Sequence, residues 1–168
     1  KDILLSFGGH TGAAGLKVPT ERLDDFKNLF EQVIKSMVSL DTLKPEVFTD
    51  GALQADQINF STINALNNLA PFGRGFEAPV FEGEFEIEHF KYIGEDKTHG
   101  FFILAKKEIS TEIVHKFKAV WFQIRSVDDP FENFNCGDKV KAVYQISEQV
   151  YQGRRSVQII LLNLSSLK

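Results

Sequence analysis

Cysteine is nearly absent: Cys136 stands alone among 168 residues, so no intramolecular disulfide can form and a reducing cytoplasm is the expected setting. No apolar run approaches the roughly 18 residues that span a bilayer, which excludes a transmembrane helix from the expected architecture. The N-terminus shows no charged start followed by an apolar stretch and a small-residue cleavage site, so no secretory signal is expected. His10, His89, His99 and His115 are dispersed, without HExxH, CxxC or an Asp-rich loop, and no metal site is expected from these residues. His89 is expected on the inward face of its strand. Neither Cys136 nor any serine has an activating neighbourhood, and no P-loop or GxGxxG segment calls for a nucleotide cofactor.

Basic residues are also in the minority, with a net charge of −4 that argues against a surface uniformly built for polyanions. The charge is unevenly spread. Residues 77–96 carry one basic and seven acidic side chains, whereas 97–168 carry 11 basic and seven acidic ones. A basic last segment behind an acidic strip could steer a polyanion to one face, or could be an ordinary solvated surface. The chain starts at Lys1 and turns apolar at Ile3, which is the expected appearance of a segment of a longer protein.

What is present divides at a Pro/Gly joint, Ala70-Pro71-Phe72-Gly73-Arg74-Gly75. Before it, 3–7 suits a short buried strand, and the small residues 8–15 suit a turn packed on the following helix. Thr20 is a candidate N-cap for a helix over 21–38, whose stripe is Leu23, Phe26, Phe30, Val33, Ile34 and Met37. A strand is expected near 47–58 and a short helix from about Ser61, stopping before Pro71. After the joint the pattern turns to β. Phe81, Phe85 and Ile87 alternate with Glu82, Glu84, Glu86 and Glu88, the signature of a half-buried strand with an acidic outer face. Further strands are expected over 99–106, 116–124, 139–146 and 156–164, with a short helix at 112–115. Five strands in about 90 residues suit a small closed barrel, an OB-fold or an SH3-like barrel.

Chemistry has two candidate homes. Gly8-Gly9-His10 could bring backbone N–H groups and an imidazole to a phosphate, or could be a tight structural connection. The barrel offers aromatic rings among cations, the combination on which single strands stack. The candidates there are Phe102, Trp121, Phe122, Tyr144 and Tyr151, with Lys106, Lys107, Arg125, Lys141, Arg154 and Arg155. Two or three rings are expected to reach a ligand, the remainder being core.

Three motifs carry a family resemblance. Gly8-Gly9-His10-Thr11-Gly12-Ala13-Ala14-Gly15-Leu16 resembles the GGHxxAAGL signature of the DHHA1 domain of DHH phosphoesterases. Leu69-Ala70-Pro71-Phe72-Gly73-Arg74-Gly75 with Ala78-Pro79-Val80-Phe81 resembles the junction of RecJ-type exonucleases, although Phe76 stands where that junction has Asn. Gly153-Arg154-Arg155-Ser156-Val157-Gln158-Ile159 resembles the motif of their last barrel strand.

The resemblance implies an α+β chain with three parts: a DHHA1-like substrate-binding piece (1–45), a connecting strand, helix and junction with Pro71, Phe72, Gly73 and Arg74 (46–77), and a five-stranded OB-fold (78–168). It implies the substrate-binding C-terminal region of a bacterial, cytoplasmic single-stranded-DNA-specific 5′-to-3′ exonuclease in DNA repair and recombination. Mn²⁺ or Mg²⁺ would be bound by an upstream DHH domain, and Gly8, Gly9 and His10 would contact a substrate phosphate. This segment alone would bind and not cleave, as a monomer, with single-stranded DNA as partner and a single-strand-binding protein or a helicase as further ones. Two other readings stay open: a protein-interaction module docking a DNA-repair partner, and a DHHA1 relative acting on short oligonucleotides or tRNA.

Overall fold

The computed structural model describes residues 3–39, 46–124 and 134–167, and the chain divides into two compact units, Lys1–Val47 and Phe48–Lys168. In the first, β1 (Ser6–His10) runs antiparallel to β2 (Ala13–Lys17), from Ser6 opposite Lys17 to His10 opposite Ala13. The expected buried strand at 3–7 and turn over 8–15 are therefore replaced by an exposed hairpin. Gly8, Gly9 and His10 lie within a strand, and only Thr11-Gly12 turn. The small residues of β2 are all exposed, and so are not packed away as expected.

Helix α1 (Leu23–Met37) follows a 3₁₀ turn, Thr20–Arg22. Thr20 opens that turn, so the N-cap of α1 is Arg22, with no side-chain capping bond. Asp24 and Asp25 in the first turn and Lys35 in the last complement the helix dipole. The apolar stripe forms as expected, with Phe26 and Phe30 stacked 5.6 Å apart, yet no residue of α1 is buried.

The second unit begins extended. Asp50 donates to the Val80 carbonyl, Glu82 donates to the Gly51 carbonyl, and Ala52 makes a parallel bridge to Glu82. The strand expected over 47–58 shrinks to that bridge, because the chain turns away into a 3₁₀ turn at Ala55–Gln57. Helix α2 (Phe60–Asn67) is capped by Asn59, whose side-chain oxygen accepts from the Thr62 N–H at 2.9 Å. It buries Ile63 and leans Leu66 on the barrel core.

The barrel comprises β3 (Phe81–Ile93), β4 (His99–Lys107), β5 (Val114–Trp121), β6 (Lys139–Tyr151) and β7 (Arg154–Ser166). Its closed order is β3-β4-β5-β7-β6, antiparallel throughout except for the parallel β5–β7 pair. This is an OB-like mixed barrel. Phe85, Ile87, Phe102, Leu104, Val140, Tyr144 and Ile159 fill its centre.

Two expectations fail inside it. A register shift between Ile87 and His89 turns β3 over, so His89 is exposed while Phe90 and Tyr92 lean on the core. No helix forms at 112–115: Glu112 is a turn residue with φ of 61°, and Val114 and His115 already pair in β5. Strands β6 and β7 run longer than expected, because Gln152 (φ 48°) and Gly153 (φ 75°) close a two-residue hairpin turn. Among the described residues no helix is long and apolar enough to cross a membrane.

Candidate functional site

The Gly-Gly-His segment owes part of its composition to the hairpin itself. A Cβ on Gly9 would lie 2.6 Å from the Ala13 carbonyl oxygen and 2.6 Å from Ala14 Cα, so the close approach of β2 requires glycine there. Gly8 meets nothing within 4 Å and is under no such constraint. The Gly12 N–H donates to His10 Nδ1 at 3.0 Å. With Nδ1 used as acceptor, the neutral imidazole of His10 carries its proton on Nε2, a donor on an exposed side chain.

The barrel candidates scatter. Tyr144 is corrected outright as a DNA contact: it is 0% exposed, packed edge-on to Phe85 at 5.5 Å, and burial pushes its phenol pKa well up. Its hydroxyl has no hydrogen-bond partner among the described residues. Phe102 is likewise core. Trp121 leans on the core while its neighbour Phe122 is 53% exposed, edge-on to His99 at 5.3 Å. At the β6–β7 turn Tyr151 and Arg154 are exposed. Arg155 is occupied: it donates to Glu148 at 2.7 Å and lies over the Phe60 ring at 5.3 Å. Arg125 lies outside the described residues.

Lys106 and Lys107 line a groove of about 610 Å³ with Glu82, Glu84, Phe85, Lys139 and Lys141. Lys106 lies 4.9 Å above the Phe85 ring, in the space left by the missing side chain of Gly83. Burial depresses its pKa, against the opposing pull of Glu84. Lys107 pairs with Glu112 at 3.0 Å, Lys141 with Glu82 at 2.9 Å, and Lys116 with Glu88 at 2.8 Å. Lysines of β5 and β6 thus offset the acidic face of β3. That groove has no single dominant sign.

At the junction Gly73 and Phe76 exchange two backbone hydrogen bonds of 2.9 and 3.0 Å, with Arg74 and Gly75 at the turn. The Ala70–Pro71 bond is cis. Phe72 is half-buried, and Pro71, Gly73 and Arg74 are exposed.

A set of residues missed in the sequence lies on the outer face of β3, β4 and β5. Lys91 stands opposite Phe101, which stands opposite Val120; His89 stands opposite Ile103, which stands opposite Lys118. Lys91 Nζ lies 5.7 Å from the Phe101 centroid, and Lys118 has no ionic partner among the described residues. Lys91 and Lys118 thus flank Phe101 and Ile103 on one sheet face, while Lys116, opposite Ala105, is taken by Glu88. Phe101 and Ile103 are half-buried there, and OB-folds bind oligonucleotides on the outer face of the corresponding strands. The alternation Phe101/Ile103 against Phe102/Leu104 was readable in the sequence. The placement of Lys91 was not, since it depends on the bulge.

Comparison with known proteins matches this architecture. A family model described as the RecJ OB domain matches residues 49–163. The single-stranded-DNA-specific exonuclease RecJ of Haemophilus influenzae is 28% identical over 160 residues, covering 95% of this chain and 27% of that protein. The RecJ of Escherichia coli is 25% identical over 162 residues, covering 96% of this chain and 26% of its own. The chain therefore spans about a quarter of the length of these relatives. Crystal structures of Thermus thermophilus RecJ in complex with Mg²⁺ and with Mn²⁺ superpose with TM-scores of 0.66 and 0.67, at 20% and 19% identity. They cover 97% and 99% of this chain and 23% and 22% of theirs, a likeness of fold.

Proposed function

This chain belongs to the RecJ OB domain family, and on that premise we propose that its barrel grips single-stranded DNA for a single-stranded-DNA-specific exonuclease acting from the 5′ end. One observation carries the reading: the outer β3–β5 face sets Phe101 and Ile103 between Lys91 and Lys118. A ring takes any base face and lysines take the phosphates between bases, so binding is strong for single strands and weakly dependent on sequence. Tyr151, Arg154 and Phe122 extend the same kind of surface at the strand ends.

The Gly8-Gly9-His10 hairpin, as the final part of a DHHA1-like unit, contacts a substrate phosphate in this proposal. Support comes from His10, whose Nδ1 is already engaged by Gly12, leaving an Nε2–H donor on the exposed hairpin. Hydrolysis belongs to a part of the protein outside these residues, with Mg²⁺ or Mn²⁺ supplying Lewis-acid chemistry there. Among the described residues no three His, Cys, Asp or Glu side chains come together. What this chain contributes is positioning, which raises rate by holding the phosphate in line.

The experiment is titration of labelled oligo-dT and a matched duplex at two salt concentrations, with Phe101→Ala alongside. The expected result is preference for oligo-dT, weakening with salt, and a loss of about 5- to 150-fold in Phe101→Ala. Equal affinity for both nucleic acids without salt dependence overturns the proposal.

A further inference from the structure

We propose that the junction turn 73–76 is a second nucleobase platform, on which Phe76 stacks one base while Arg74 meets a neighbouring phosphate. The inference rests on the single-strand reading above and adds a contact outside the barrel strands.

The turn is built to hold a ring still and outward. Its two backbone hydrogen bonds pin Gly73 to Phe76, and Gly75 takes the φ of 85° that closing it requires. The Phe72 ring backs Phe76 at 5.5 Å with the planes tilted by 36°, while Phe76 itself stays 53% exposed. A ring already immobilised loses little conformational freedom when a base lands on it. Arg74, at the crest, has no ionic partner among the described residues. The nearby Glu77 carboxylate faces the Gly75 N–H instead, at 3.4 Å.

The turn is also tied to the barrel. Gln145 of β6 donates to the Ala78 carbonyl, two residues past the turn, at 3.4 Å, and α2, which precedes the turn, leans Leu66 on the core. A flat ring beside an unpaired guanidinium matches the two repeating parts of a nucleotide, a π-face and a phosphate. A protein partner docking on Leu69 and Phe76 would use the apolar area and leave the guanidinium unanswered.

The test compares oligo-dT binding by the wild-type chain, Phe76→Ala, Phe76→Leu and Arg74→Ala, with thermal melting as the folding control. Phe76→Leu keeps apolar contact with Phe72 and removes the π-face. Both Phe76 variants are expected to weaken binding by about 5- to 150-fold with the salt slope unchanged. Arg74→Ala is expected to weaken binding and reduce the slope by about 0.7. Wild type that binds while both folded Phe76 variants match it overturns the platform alone. Wild type that fails to bind removes the barrel reading and this inference together.

Discussion

Tyr144 shows how a residue that looks like a ligand contact can be a core residue with a cost. Its hydroxyl is buried without a partner among the described residues, and an unmet buried hydroxyl costs about 1–3 kcal/mol. Tyr144→Phe is therefore expected to leave the urea midpoint unchanged or raise it, with oligo-dT affinity intact. A loss of affinity in that variant would restore Tyr144 to the site. Glu108 is a different case. Its carboxylate accepts from Thr111 at 2.7 Å and Ser110 at 2.9 Å and faces His115 Nε2 at 3.3 Å, so it organises the β4–β5 loop. The Thr111 bond, then those of Ser110 and His115, holds its pKa below the ordinary 4.5. A depressed carboxylate stabilises the fold above its unfolded pKa, and that contribution is lost as pH falls through the folded value. Urea midpoints measured from pH 6 downward should thus decline below about 4.5, and Glu108→Gln should flatten that part of the profile.

Among elements, the β1–β2 hairpin and the bulged strand β3 separate pattern from geometry most clearly. Glycine pairs are ambiguous in a sequence, since a phosphate loop and a crowded strand both require them. Here Gly9 answers to crowding and Gly8 does not. Gly9→Ala is expected to distort the hairpin and raise protease sensitivity within 1–47, whereas Gly8→Ala leaves it resistant. Equal resistance of the two variants would show that the close approach at Gly9 relaxes freely. In β3 the period-2 pattern holds from Phe81 to Glu88 and then inverts at one extra residue. The inversion places Lys91 outside and Phe90 against the core. Alternation reports which residues share a face only until the first bulge.

For the whole molecule, the net charge of −4 and the single-strand reading are reconciled by pairing rather than by composition. Glu82 and Glu88 of β3 face Lys141 and Lys116, while Lys91 and Lys118 of the outer β3–β5 face stand beside apolar side chains. If Lys91 and Lys118 each neutralise one phosphate, together they should contribute about −1.4 to the slope of log affinity for oligo-dT against log salt. The double alanine variant should reduce the magnitude of the slope by about that amount and leave the share of Arg74 in place. A slope unmoved by the double substitution would shift the phosphate path to the groove at Lys106.

The order of α1, α2 and the five barrel strands was written in the sequence, whereas β2 was not. The α1 stripe, the Pro/Gly joint and five alternating strands follow from side-chain periodicity, which the backbone imposes locally. Tertiary structure alone decided which cations are free and which rings are available. Arg155 is taken by Glu148 and Phe60, Tyr144 is enclosed, and Phe101 and Lys91 are brought side by side. Those outcomes depend on register, bulge position and barrel closure, which join residues far apart in the chain and leave no mark in any local window.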